Sequence, residues 1–391
     1  MLSAPYGEDK INCSGCGACE QICSLNSISM QIDAEGFNYP VINPDTCNSC
    51  ELCSRICPIT NQWHNKWLLT TPDVYAAWHL NDDVRAGSAS GGVFSALANK
   101  VLSQHGIVFG AAFDKQLQLR HIGIETKAQL AALRGSKYIQ SINGNSFQQA
   151  KESLKRGQPV LYTGTPCQIA GLYAYLQRDY EHLYTCDIFC HGVPSPKVFR
   201  KHLQNLEQKH HAQVINYRFR SKYFGWRPYG IHIEFSDGKV YNTTSMLEPF
   251  TRGFLESLYL RPICSVCPYT STTRTADVSI GDFWGIDKYL PELDDNKGIS
   301  TVLVNTQKGR EIFESCRSEL FIQPCGLKQA LQGALSNPSI PSSHRPAFFA
   351  DLDRLPFRKL QRKYILGFKQ YTRYYAGHLK NRLLNAFHVI R

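Results

Sequence analysis

The sequence predicts an α+β protein in which a small cysteine-rich unit precedes a mixed α/β body and a basic helical C-terminal tail. Three observations lead there. Eight of the fifteen cysteines lie between Cys13 and Cys57, in two matched runs. From Val74 onward, short apolar β-type runs alternate with helical patterns, as in chains whose helices pack on a mixed sheet. Charge is divided along the chain: +11 in total, but −5 over residues 1–60 and +8 over residues 351–391.

Composition sets the limits. A chain of 391 residues buries a large core and divides into two or three domains. At 43% hydrophobic and 19% charged it is globular. The start, MLSAPYGEDK, has no apolar signal core, and no run of about 18 apolar residues is present to span a bilayer. Fifteen cysteines with no export signal predict a reducing, cytoplasmic setting. A basic body attracts anionic nucleotides, acidic redox partners or a membrane surface. No nucleic-acid motif is present, so nucleic acid is not an expected partner.

The two runs read Cys13-x2-Cys16-x2-Cys19-x3-Cys23 and Cys47-x2-Cys50-x2-Cys53-x3-Cys57, with 23 residues between them. This spacing wraps soft thiolates around a cubic iron–sulfur cluster. Ser14, Gly15, Gly17 and Ala18 are small enough for the backbone to curl around it. In two-cluster ferredoxins the fourth cysteine of each run serves the other cluster. Cys13, Cys16, Cys19 and Cys57 are therefore expected to hold one 4Fe–4S cluster, and Cys47, Cys50, Cys53 and Cys23 the other. Zinc modules use paired Cys-x2-Cys units instead of two runs of four. Ser24 stands where the pattern has proline, while Pro58 keeps it in the second run.

Between the runs, Ile28, Met30 and Ile32 alternate with polar residues, Asp33–Gly36 turns, and Phe37, Tyr39 and Val41 alternate again: a β-hairpin packed on the clusters. Ile59 to Asp73, with Trp63, Trp67 and Pro72, reads as a linker. Strands are expected at Val74–Trp78, Ile107–Phe113, Pro159–Tyr162, Leu183–Phe189, Val278–Gly281 and Thr301–Asn305, and helices at Val93–Ser103 and Thr165–Leu176. Val214–Phe219, Ile231–Phe235 and Val240–Asn242 read as a β-meander with a Ser236–Gly238 turn. Met246–Leu258 reads as a helix, and Phe357–Ile390 as a basic helical tail started by Pro356.

Four further cysteines have settings that carry chemistry. Cys167 lies in Gly-Thr-Pro-Cys-Gln between a strand and a helix, Cys190 opens Cys-His-Gly-Val-Pro at a strand end, and Cys264 and Cys267 form a Cys-x2-Cys in a loop. Together they supply enough thiolates for a third cluster. Read singly, they are four buried cysteines, or half of a zinc site. Cys186 competes with Cys190 as a ligand; Cys316 and Cys325 read as structural. Ser88-Ala-Ser-Gly-Gly92 before a helix is a phosphate cradle by its free N–H groups, or a flexible turn with a serine cap. Gly135–Ser141 adds Lys137 and Gln140, or is a solvated loop. His191 beside Cys190 is a proton relay or a surface histidine. Asp282 sits just past a strand end, a common ligand position in α/β sheets, or caps a turn.

Taken together, Arg85–Gly92, Gly135–Ser141, Gly164–Gly171, Cys190–Pro196, Cys264-x2-Cys267, Ala276–Gly285 and Lys297–Ser300 resemble the family of the coenzyme F-420 hydrogenase/dehydrogenase beta subunit, and stand in the family's order. The resemblance implies FAD bound by the body beside one 4Fe–4S cluster. It makes Ser88, Ser90, Gly91, Gly92, Lys137 and Gln140 flavin-site candidates, and Cys167, Cys190, Cys264 and Cys267 the cluster ligands. It implies four regions: a two-cluster ferredoxin domain at 1–62, an N-terminal-like FAD-binding region at 74–200, a C-terminal-like region with the Cys-x2-Cys at 201–350, and the tail at 351–391.

The function expected is an iron–sulfur flavoprotein oxidoreductase that passes electrons between a two-electron partner, FAD and one-electron clusters. Its catalytic side chain is not identified by sequence; His191, Asp282 and Lys137 are the candidates. The partner is a redox protein or a small hydride carrier. A second reading is a non-catalytic subunit that relays electrons to another enzyme. A third, a membrane-surface protein docked by its basic tail, is less favoured than a tail packed on the body. Nothing in the sequence identifies a deazaflavin pocket.

Overall fold

The structure, a computed structural model, describes residues 5–7, 9–61 and 67–366. The N-terminal unit contains the hairpin β1 (Ile28–Ile32) and β2 (Asn38–Ile42) and the short helices Ala18–Ile22 and Leu52–Arg55, each of which starts inside a cysteine run. Phe37 and Tyr39 are buried beside Cys13, so the hairpin covers the first run with apolar surface.

The body begins with β3 (Leu68–His79), β4 (Ile107–Phe113), β5 (Leu119–Ile124), β6 (Val160–Gly164) and β7 (Leu183–Ile188). It continues through a meander, β8 (Val214–Ser221), β9 (Gly230–Phe235) and β10 (Val240–Thr244), to β11 (Val278–Asp282), β12 (Ser300–Thr306) and β13 (Leu320–Pro324). Eight of these form one sheet in the order β13-β3-β12-β11-β7-β6-β4-β5. Its centre is parallel, β11-β7-β6-β4, and its flanks are antiparallel. Parallel strands buried on both faces carry unbroken apolar runs. In β4 and β6, Ile107, Phe109, Val160 and Tyr162 face one layer, while Val108 and Leu161 face the other.

Helices Val93–Ser103 and Gln307–Glu314 cover one face. Helices Ser146–Lys155 and Pro166–Leu176 cover the other, and the N-terminal unit packs there through Cys16, Ala18 and Ile56. A second apolar core joins the meander to helices Pro196–His210, Pro249–Leu255 and Arg345–Leu352. Among the described residues, no helix is long and apolar enough to cross a membrane.

Several boundaries differ from the sequence expectation, each for a local reason. The stretch read as a linker to Asp73 is strand from Leu68 onward; the β12–β3 register shifts across the segment that contains Pro72, which has no ladder donor. Trp63 lies outside the described residues, whereas Trp67 donates its Nε1–H to Asp179 Oδ2 at 2.8 Å. The helix expected from Met246 starts at Pro249, because the Glu248 carboxylate accepts from Phe250 N and Thr251 N and so caps it there. β5, β13 and helices Ser146–Lys155 and Pro196–His210 carry weak patterns in the sequence and were not expected. Of the predicted basic tail, Phe357–Leu360 and a π turn at Gln361–Ile365 pack on the second core; residues 367–391 lie outside the described residues.

At the end of β7 the Asp187 carboxylate, fully buried, pairs with Arg274 at 2.9 Å and accepts from Thr275 Oγ1 at 3.0 Å. Arg274 also donates to the carbonyls of Tyr269 and Ile188, so the pair ties the Cys264–Cys267 loop region to the sheet. Removing one partner strands a buried charge. Asp187→Asn is therefore expected to cost about 3–5 kcal/mol in urea unfolding, with the loop after Cys267 becoming the first site of limited proteolysis.

Candidate functional site

The parallel strands end on one side of the sheet, and a cleft opens there. Thr163–Gly164 at the end of β6, Ile188–Phe189 after β7 and Ile280–Asp282 of β11 form its floor. Ser88–Phe94, the Arg134–Ser141 loop and Thr165–Gln168 form its walls, and Ser14 and Gly15 of the first cysteine run close one end. The cavity measures about 270 Å³, near the lower end of small-molecule sites, which run from about 300 to 1,000 Å³. Carboxyl ends of parallel strands are where α/β folds place ligands, since each strand-to-helix turn can vary without disturbing the sheet.

The helix Val93–Ser103 points its N-terminus at this cleft. Gly92, at φ +91°, is its cap residue, makes no side-chain cap bond, and no acidic residue occupies the first turn. Its first N–H groups and its dipole are thus available to an anion. The neighbouring residues have other duties. Ser88 Oγ donates to Val84 O at 2.7 Å and Ser90 Oγ to Ile299 O at 2.7 Å, so both hydroxyls already serve protein carbonyls. Gly91 is glycine because a Cβ there would lie 2.3 Å from Ala77 O and 2.8 Å from Ser300 N. Lys137 is half-buried in the cleft wall and donates to the carbonyls of Leu133, Arg134 and Gly135. Burial lowers its pKa to about 7, while the three carbonyl oxygens at a helix end favour its charged form.

Asp282 also lines the cleft, but both of its oxygens are engaged. Arg220 donates to them at 2.6 and 2.7 Å, and Trp226 Nε1–H donates at 2.7 Å. Burial works against the Arg220 charge and Asp282 overcomes it, leaving the guanidinium firmly protonated. His191 lies away from the cleft lining. Its ring meets Ser257 Oγ at 3.2 Å and Ser339 Oγ at 3.1 Å, and burial lowers its pKa.

Sequence reasoning missed a polar chain in the wall. His121 Nε2 meets the carbonyl of Thr163 at 3.0 Å; a carbonyl only accepts, so Nε2 carries the hydrogen and Nδ1 accepts from Ser141 Oγ at 2.9 Å. Burial drives the His121 pKa down to about 4, so the ring is neutral. Gln168 Nε2 donates to Ser141 Oγ and to Asn143 Oδ1, and Asn143 Nδ2 donates to Cys16 O at 2.6 Å. A continuous hydrogen-bonded chain thus runs from the cleft to the first cysteine run. The sequence holds only a weak signal for it: Gln168 follows Cys167, and Ser141 ends the Gly135–Ser141 motif.

The thiols fall into sets by the charges they feel. Burial raises the pKa of Cys13, Cys16 and Cys19, that of Cys16 to about 12, and Cys57 raises all three further. In the body, burial raises Cys167 to about 12 and Cys264 to about 11, and it raises Cys190 as well; Cys264, Cys167 and Cys267 then act on Cys190. Cys53 is raised by burial and lightly by Cys47. Cys186 is buried in the middle of β7 and is not among the thiols acting on Cys190. Thiols gathered until each disfavours its neighbour's thiolate suit a site where a cationic centre replaces their protons. Among the described residues no three Cys, His, Asp or Glu side chains close around a point as one ion needs; a cubane holds its thiolates further apart.

The two thiol sets meet across a tight seam. A Cβ on Gly15 would fall 2.4 Å from Gln140 Nε2, and one on Gly171 would fall 2.9 Å from Cys16 Cβ and 3.0 Å from its Sγ. Tyr269 Oη donates to Pro58 O at 2.8 Å. Gln140 Oε1 accepts from Arg261 Nη1 at 3.1 Å, and Arg261 Nε donates to Cys13 O at 2.7 Å.

With this geometry in place, the chain was compared with known proteins. Two family models of "Coenzyme F420 hydrogenase/dehydrogenase, beta subunit" match, the N-terminal one over residues 74–147 and the C-terminal one over residues 157–328. Residues 12–61 match "4Fe-4S dicluster domain". The F subunit of the F(420)H(2) dehydrogenase of Methanosarcina mazei is 22% identical over 332 residues, 79% of this chain and 84% of that protein. A chain of the F420-reducing [NiFe] hydrogenase complex from Methanosarcina barkeri is 21% identical, with a TM-score of 0.45, over 67% of this chain and 85% of that one. The N-terminal unit is an iron–sulfur domain.

The seam generates a prediction. Gly171→Val is expected to push Cys16 out of place and lower the iron content of the anaerobically isolated chain, read by iron assay and electron paramagnetic resonance. Gly333→Ala, whose Cβ meets nothing within 4 Å, is expected to keep its iron.

Proposed function

This chain belongs to the family of the coenzyme F420 hydrogenase/dehydrogenase beta subunit, and from that premise we propose that it is an iron–sulfur flavoprotein oxidoreductase with three 4Fe–4S clusters and one FAD. The observation that carries the reading is the shared wall. Cys167 and Ser14–Gly15 line the same cleft as the open N-terminus of helix Val93–Ser103. A redox ligand in that cleft borders both a body thiol set and a ferredoxin-type thiol set.

The flavin, when bound, supplies conversion between a two-electron partner and one-electron clusters. The protein's residues supply the rest. The free N–H groups at Gly92 and Val93 would hold a pyrophosphate, and Lys137 adds a charge to the same wall. Neutral His121 has both ring nitrogens committed, to Thr163 O and Ser141 Oγ, so it serves as a fixed hydrogen-bonding wall and not as an acid. Asp282, paired with Arg220, holds the floor in shape and has no free oxygen for proton transfer. Cys13, Cys16, Cys19 and Cys57 would hold the cluster nearer the body, Cys23, Cys47, Cys50 and Cys53 the outer one, and Cys167, Cys190, Cys264 and Cys267 the third. The regions 1–62, 74–200 and 201–350 divide the work accordingly, in a reducing cytoplasm, where thiols stay free of disulfides. A redox protein or a small hydride carrier is the partner.

A second reading, a relay component that works only within a larger enzyme, is favoured by the name of the Methanosarcina mazei relative, itself one component of a dehydrogenase. One experiment separates the two. Anaerobic isolation is expected to yield about twelve irons per chain, as three cubanes require, with one FAD. NAD(P)H, reduced ferredoxin and reduced coenzyme F420 are then offered in turn. Bleaching of the flavin by one donor alone supports the oxidoreductase; bleaching only after a second protein is added supports the relay. Zinc without flavin would sink both.

Two variants dissect the site. Cys190→Ala is expected to lose from about one to four irons and keep the remainder, since a cubane deprived of one thiolate gives up at least the iron that thiolate held. Lys137→Met is expected to lower FAD occupancy at least about fivefold, corresponding to about 1 kcal/mol of lost charge attraction, with iron content unchanged.

A further inference from the structure

Arg261 is 1% exposed, and among the described residues no carboxylate pairs with it. Each nitrogen of its fork nevertheless has a partner. Nε donates to Cys13 O at 2.7 Å, Nη1 to Gln140 Oε1 at 3.1 Å, and Nη2 approaches Cys13 Sγ at 3.4 Å. The guanidinium lies 4.0 Å from the Tyr39 ring centroid and 5.5 Å from that of Phe37, two rings that seal it from water. The same residue caps the turn Pro262–Val266 that carries Cys264, and Cys264 N donates to Arg261 O at 3.0 Å. A buried cation whose protein contacts are neutral oxygens, rings and one thiol calls for an anionic centre on that side.

Among the described residues the outer cysteine set has no counterpart. Cys50 is exposed, and the cation beside it, Arg55, is itself exposed and donates to Cys50 O at 3.1 Å. Water and salt screen a charge there.

We propose that Arg261 is an electrostatic bridge between the Cys13–Cys16–Cys19–Cys57 cluster and the Cys167–Cys190–Cys264–Cys267 cluster, holding both at higher reduction potentials than the outer cluster. This rests on the three-cluster reading above. Reduction adds one negative charge to a centre that is already anionic, and a nearby unscreened cation together with an N–H···S contact stabilises that added charge. An electron shared among the three clusters therefore leaves the outer one oxidised and resides on an inner one, beside the cleft. Arg261 is a positioning residue: it sets where the electron rests and touches no substrate.

The test is a potentiometric titration of the full, anaerobically isolated chain by electron paramagnetic resonance, each signal assigned by its loss or conversion to a three-iron signal in Cys16→Ala, Cys50→Ala or Cys190→Ala. In the unmodified chain both inner clusters are expected to reduce before the outer one; the outer cluster reducing first overturns the inference without any variant. In Arg261→Gln the oxidised-to-reduced ratio of the first cluster, read at its wild-type midpoint, is expected to rise at least tenfold, about 59 mV for one electron. The body cluster is expected to shift the same way by less, and the outer cluster not to move. An iron-replete Arg261→Gln chain with unchanged potentials, or with all three shifted equally, overturns the inference alone. A wild-type chain with fewer than three clusters removes the reading beneath it instead.

Discussion

A guanidinium sealed from water has to find its counter-charge inside the protein. Arg261 reaches from the body into the N-terminal unit: Nε and Nη2 of its fork meet Cys13, while Nη1 holds Gln140 of the body. Through its contacts to Cys13 on one side and to Gln140 and Cys264 on the other, the first cysteine run, the Gln140 loop and the Cys264 turn become a single rigid corner. The interface around it has no slack: Gly15 and Gly171 leave no room for even a methyl group, and Asn143 and Gln21 stitch the run to the body by hydrogen bonds. A methyl-sized error in such packing moves backbone, because protein interiors are as dense as organic crystals.

That rigidity matters because the cleft is built from distant pieces. Its floor is strand ends, which the parallel ladder fixes. Its walls are loops, and each is fastened by a buried polar anchor. Arg85 holds Asp295 at 2.7 Å and Gly298 O at 2.8 Å, Lys222 donates to Arg85 O and Ser90 O, and Arg220 joins Asp282 to Ala89 O. Burial and the neighbouring Arg85 and Arg220 charges lower the Lys222 pKa to about 7, against the pull of Asp282 and Asp295, so three basic side chains crowd the back of the glycine-rich turn with two carboxylates among them. The chain tolerates that crowding beside a helix N-terminus that is itself electropositive, an arrangement suited to holding an anion.

The hairpin turn shows the same logic at the other end of the N-terminal unit. Gly36, at φ +89°, lets the backbone press against Lys197, where a Cβ would come within 2.3 Å of the Lys197 Cβ. Lys197 donates to Ala34 O at 2.8 Å, and Arg345 donates to Glu35 at 3.0 Å. At this end an acidic residue of the N-terminal unit meets a basic residue of the body, in keeping with the division of charge along the chain.

The sequence by itself determined the chemistry of the N-terminal unit. Two Cys-x2-Cys-x2-Cys-x3-Cys runs are local patterns, and ligand spacing survives in one dimension. It also determined the strands at the centre of the sheet, whose continuous apolar character needs no partner to be recognised, and the start of helix Val93–Ser103. The edge strands were harder to read: β5 and β13 are half-solvated, so their periodicity is mixed. Which residues serve the site was decided only by the tertiary structure. Ser88 and Ser90 fit a phosphate cradle by type, yet their hydroxyls turn to protein carbonyls. Asp282 sits at a strand end by position, yet its partner Arg220 comes from another sheet. His121 and Arg261 belong to no motif that spacing reveals, and Gln168, though inside the Gly164–Gly171 stretch, gives no sign of its role there, because the partners that matter lie 20 or more residues away in the chain. A buried polar group is defined by what desolvates and pairs it, and both depend on contacts that form only when the chain has folded.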